Sequence, residues 1–95
     1  MEVTLKRGEK ARAGSLEIEL ADITKKRLEF NPETGEGGDE EVHLTLVLRE
    51  SGEESEVVLE YPRRPPAEAE FRGHRISVLE VENFQEWARF RVTGT

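Results

Sequence analysis

Apolar and polar residues alternate along almost the whole chain, and this alternation restricts the chain to β-structure. The clearest case is residues 42–48, in which every second side chain is Val or Leu. Successive side chains of a strand point to opposite faces, so such a run has one apolar face to bury. No segment shows a sustained 3.6-residue apolar period, and the best helical candidate is one turn near residues 83–87.

The pattern predicts seven to nine short strands separated by turn signals. They are expected around residues 3–5, 10–13, 16–30, 42–48, 57–61, 69–71, 76–81 and 88–92. The last three form a meander, and residues 68–92 contain much of the bulky core material, including the only Trp and three of the four Phe.

The alternation breaks at two places. A β-bulge at Asp22 would return Ile23 to the core side. Ile76 and Val78 share one face, but Val81 lies on the other, so a second bulge or a strand buried on both faces is needed. We predict an all-β antiparallel two-layer β-sandwich with Ig-like or related Greek-key topology; a small partly open β-barrel is the alternative.

The chain length fits one domain, residues 1–95, with a thin core. Its 95 residues are 35% hydrophobic and 37% charged, which leaves little apolar material for more than one layer between two sheets. Residues 31–41 contain three Gly, one Pro and several acidic residues, and this composition predicts a flexible acidic loop.

Composition also limits the function. The net charge of −7 disfavours nucleic acids and anionic membranes as partners. The absence of Cys excludes disulfides, thiol nucleophiles and thiolate metal sites. No Gly-rich phosphate loop, nucleophile elbow or Ser/His/Asp spacing is present, so we predict no enzyme activity and no cofactor. No signal peptide is visible, which favours a cytoplasmic location; export with a removed leader is the alternative.

The charges are unevenly distributed. Residues 29–60 carry one Arg against eleven acidic residues, whereas the segments on either side are slightly basic. Such charges keep strands soluble and discourage edge pairing. The alternative is a docking surface for a basic partner or a divalent cation. His43 and His74 lack the spacing of a zinc motif, so no metal site is predicted from them.

The best candidate for an interaction patch is aromatic and cationic. Trp87, Arg89 and Arg91 share the outward face of the last strand, and Arg72 and Arg75 lie in the same meander. Trp and Arg are enriched among the residues that dominate binding energy. We therefore predict a non-catalytic interaction module that binds another protein or forms a homodimer, through this face or through a free edge strand.

Two alternative functions depend on the acidic loop. Residues 33–41 could bind a cation through their carboxylates. In addition, Asn31-Pro-Glu-Thr-Gly35 resembles the Asn-Pro-Thr-Thr-Gly loop of the chagasin family of cysteine-protease inhibitors. That resemblance covers five residues and implies an Ig-like inhibitor whose loop enters the protease cleft. Glu33 stands where the family has its first Thr, and Glu36 stands where it usually has an aromatic residue.

Overall fold

The computed structural model describes residues 1–27, 32, 33, 35, 40–62, 66–82 and 84–94. Within these ranges the chain forms eight β-strands and no helix, and the predicted all-β class is confirmed. No helix of the described residues is long and apolar enough to cross a membrane. The strands are β1 (Glu2–Lys6), β2 (Lys10–Ala13), β3 (Leu16–Arg27), β4 (Glu40–Glu50), β5 (Glu53–Tyr61), β6 (Glu68–Phe71), β7 (His74–Glu82) and β8 (Trp87–Gly94).

The strands form two antiparallel sheets of four. Sheet A has the order β1-β8-β7-β6 and sheet B has the order β2-β3-β4-β5. Apart from β1 beside β8, strands that pair are also neighbours in sequence. Two antiparallel sheets confirm the predicted two-layer β-sandwich. In sheet A, three hairpin-connected strands, β6 to β8, lie beside β1, which a long connection through sheet B joins to β6.

The core lies between the sheets and contains the inward-facing residues that the alternation predicts. Among the described residues, every fully shielded side chain is apolar, and no polar or charged residue is buried. The largest buried side chains are Phe90 and Ile76 of sheet A and Leu16, Ile18, Leu20, Leu44, Leu46 and Leu48 of sheet B. A single interface between two apolar faces therefore supplies most of the hydrophobic stabilisation.

Both predicted breaks in the alternation are β-bulges. In β3 the register shifts between Leu20 and Asp22, after which Ile23 lies opposite the buried Leu44. In β7 the register shifts between Val78 and Glu80, after which Val81 lies opposite Ala88. Each bulge inserts one unpaired residue and so returns the following apolar side chains to the inner face.

The predicted acidic loop, residues 31–41, ends earlier than expected. β4 begins at Glu40, so Glu40 and Glu41, which we assigned to the loop, are strand residues opposite Arg27 and Lys26 of β3. Most of residues 31–39, and Leu28 and Phe30, lie outside the described residues.

Candidate functional site

Four of the five residues predicted to form the interaction patch share the outer face of sheet A, three on β8 and Arg75 on β7. Trp87, Arg89 and Arg91 lie on the outer face of β8, a strand with neighbours on both sides in sheet A. Trp87 and Arg89 are half-buried, whereas Arg91 is exposed. The alternation of β8 explains this placement, because the intervening Ala88, Phe90 and Val92 are the core residues.

Most of the positive charge on this face is already neutralised by neighbouring strands. The Arg89 guanidinium lies 2.7 Å from Glu80 of β7 and 3.7 Å from Glu2 of β1. Arg75 lies 2.9 Å from Glu70 of β6, and its hydrogen bond to this carboxylate raises the arginine pKa above its ordinary value. The outer face of sheet A therefore presents alternating charges rather than a basic patch.

Arg72 lies at the other end of sheet A from Trp87. Trp87 pairs with Glu82, whereas Arg72 precedes His74, which pairs with Gly94. At about 3.3 Å per residue, the length of β7 separates these ends by roughly 20–25 Å. The structure therefore places Trp87, Arg89, Arg91 and Arg75 on one face, with Arg75 diagonally across from Arg91, and leaves Arg72 outside the group.

Arg72 belongs instead to a polar clasp between the sheets, formed by Ser15, Glu50, Arg72 and His74. Glu50, at the end of β4, accepts hydrogen bonds from Ser15 Oγ (2.7 Å) and Arg72 Nε (3.1 Å), and its Oε2 lies 2.7 Å from His74 Nε2. The bond from Ser15, followed by that with His74, lowers the pKa of the Glu50 carboxyl. Glu50 belongs to sheet B and His74 to sheet A, so the clasp fastens one end of the sandwich.

A second ion-pair cluster covers the outer face of sheet B. Arg49 lies 2.8 Å from Glu19, 3.1 Å from Glu17 and 2.8 Å from Glu54. Hydrogen bonds to these carboxylates, with Glu19 contributing most, raise the Arg49 pKa. The cluster lines part of an open groove of 410 Å³ that also includes Glu50. The charged groups at its centre form ion pairs with one another.

The opposite end of the sandwich exposes an aromatic side chain. Phe84, in the loop between β7 and β8, is 93% exposed. The surrounding loop is anchored, because the Glu86 carbonyl accepts a hydrogen bond from the Arg7 backbone N–H (2.9 Å). Lys25 Nζ lies 5.3 Å from the centre of the Phe84 ring, within the range of a cation–π contact. We call Lys25, Phe84, Gln85 and Trp87 the loop end.

Sequence reasoning missed this feature by counting Phe84 as core material. The turn signal at residues 83–85 was the available clue, because a side chain inside a turn does not follow the alternation of either strand. Trp87, three residues later, connects the loop end to the predicted patch, and its indole N–H donates to Gln85 Oε1 at 3.2 Å.

Comparison of the chain with protein-family models, with curated proteins and with solved structures finds no match.

Proposed function

We propose that the protein is a non-catalytic interaction module whose contact surface is the loop end, with Phe84 at its centre. The partner is another protein or a second copy of the chain. The exposure of Phe84 is the observation that carries this proposal. An aromatic side chain that is almost fully exposed in the free protein gains the most from burial against a partner.

Burial of Phe84 would contribute more to binding than the arginine-rich face of sheet A. Burying a Phe side chain contributes about 1.5–3 kcal/mol, which corresponds to roughly a 10- to 150-fold change in Kd. Arg89, in contrast, would have to leave Glu80 and Glu2 before it could pair with a partner, so its net contribution is small. Trp87 lies three residues after Phe84, so its fluorescence should change when a partner contacts Phe84.

The loop is also held in place before any partner arrives. The backbone hydrogen bond between Arg7 and Glu86, together with the 3.0 Å hydrogen bond from the Phe84 N–H to Glu82 Oε1, fixes both sides of the turn. A contact residue on a fixed loop loses less conformational entropy on binding than one on a mobile loop.

Site-specific photo-crosslinking tests the proposal. A photoreactive phenylalanine analogue at position 84 keeps the ring in place, and the same analogue at position 58 is the control, because Val58 is also an exposed apolar residue. We expect a discrete cross-linked species from position 84, of twice the 10.9 kDa chain mass for a dimer or of another mass for a different partner. Equal cross-linking from both positions, or none from position 84, would contradict the proposal.

The two alternatives depend on residues 31–41, of which 31, 34 and 36–39 lie outside the described residues. The inhibitor alternative is tested by adding excess protein to papain, where undiminished protease activity excludes it. The cation alternative predicts a higher melting temperature in millimolar calcium, because a ligand that binds only the folded state stabilises that state.

A further inference from the structure

We propose that Glu41, His43 and Glu60 form a Zn²⁺-binding site on the outer face of sheet B. Glu41 and His43 are two residues apart on β4 and therefore point to the same face. Glu60 of β5 lies directly opposite His43 in the strand register. This site is separate from the loop end and does not depend on the proposed function.

The three side chains converge closely enough to share one ion. One ligand atom from each residue lies within 4.8 Å of the other two. His43 Nε2 is 3.8 Å from Glu41 Oε2, which is too long for a hydrogen bond. Bonds of about 2.0–2.2 Å to a tetrahedral zinc place ligand atoms about 3.4 Å apart, so small side-chain rotations would complete the geometry.

His43 provides a second, independent observation. Its Nε2 atom is shielded from solvent, yet it has no hydrogen-bond partner among the described residues. A buried polar nitrogen without a partner is unfavourable, and such atoms normally bind a hydrogen-bonding group or an ion. An ion held between His43 and the two carboxylates would satisfy this nitrogen without any rearrangement of the strands.

The donor set selects the type of metal. Calcium and magnesium prefer six or more oxygen ligands, which two carboxylates and an imidazole do not supply. Zinc accepts imidazole nitrogen and carboxylate oxygen in four-coordinate sites, with water in the fourth position. Glu41 and Glu60 also take part in other interactions, but each carboxylate has two oxygens and can serve a metal and a second partner together.

Calorimetric titration with ZnCl₂, using protein without a histidine tag, tests the site. Variants His43→Gln and Glu60→Gln each remove one ligand, and His74→Gln is the matched control because His74 also lies beside a glutamate. We expect one zinc per chain in the wild type and in the control. We expect binding at least about 100-fold weaker in the two ligand variants, because even loss of a supporting hydrogen bond costs roughly 10–100-fold.

Two further measurements do not depend on how well the variants fold. Zinc should shift the imidazole NMR signals of His43 but not those of His74 in the wild-type protein. Zinc should also raise the melting temperature, whereas calcium at equal concentration should not. Wild-type protein that binds no zinc up to millimolar concentration, or a His43→Gln variant that binds it equally well, would overturn the proposal.

Discussion

Replacing Phe90 with Ala tests the register on which the whole sandwich depends. Phe90 is completely buried, and it lies on β8 between Val3 of β1 and Val78 of β7. Its neighbours Arg89 and Arg91 point to the opposite face. If β8 were shifted by one residue, Phe90 would be exposed and its loss would cost little.

The expected loss of stability in Phe90→Ala follows from the complete burial of the Phe90 side chain. Removing a fully buried Phe side chain destabilises a protein by about 3–5 kcal/mol, since apolar contact is lost and a cavity remains. A domain of this size has a total stability of roughly 5–14 kcal/mol. Its entropy of unfolding is about 0.2 kcal/mol/K, so a loss of about 4 kcal/mol lowers the melting temperature by about 20 °C.

Urea denaturation, monitored by Trp87 fluorescence, measures this loss in the free energy of unfolding. Phe84→Ala is the matched control. The same substitution at the 93% exposed position should change the free energy of unfolding by less than about 0.5 kcal/mol. If the two variants were equally destabilised, or if Phe84→Ala were the less stable, the assignment of Phe90 to the core and Phe84 to the surface would be wrong.

Two polar clusters give further predictions. The folded-state pKa of Glu50 is lowered from its ordinary value of 4.5, so the clasp stabilises the fold above about pH 4.5 and this contribution is lost as the pH falls towards the folded pKa. The melting-temperature gap between wild type and Glu50→Gln should therefore narrow below pH 4.5; a constant gap would contradict this. Arg49→Met leaves Glu17, Glu19 and Glu54 close together without their shared cation. It should lower the melting temperature at pH 7, and less so in high salt, whereas Arg12→Met, at an exposed position of β2, should have almost no effect. Equal effects of the two substitutions would refute this explanation.

The strands and their inward faces could be predicted because each is a local property of the sequence. Alternation alone identified the buried faces of β4 and β8, and breaks in alternation located both bulges. The start of β4 was misplaced because Glu40 and Glu41 resemble loop residues in isolation. Their strand conformation depends on backbone pairing with residues 26 and 27 of β3, which are distant in sequence and adjacent only after the strands pair.

Strand order could not be predicted in this way, since alternation assigns a face to each strand and says nothing about which strands pair. The charged residues pose the same difficulty. The sequence is divided into an acidic middle and slightly basic flanks, but in the fold Arg72 from one flank binds Glu50 and Glu53 from the middle. The predicted cationic patch assumed free arginines, and the availability of a charge depends on neighbours that only the fold reveals.

The two ends of the sandwich differ in a way that bears on function. At one end, Glu50 connects the sheets through Ser15, Arg72 and His74, so polar groups there are satisfied within the molecule. At the other end, an anchored loop leaves Phe84 in solvent beside Lys25. Because satisfied ion pairs add little to binding while an exposed aromatic ring adds most when buried, a protein partner is expected at the loop end.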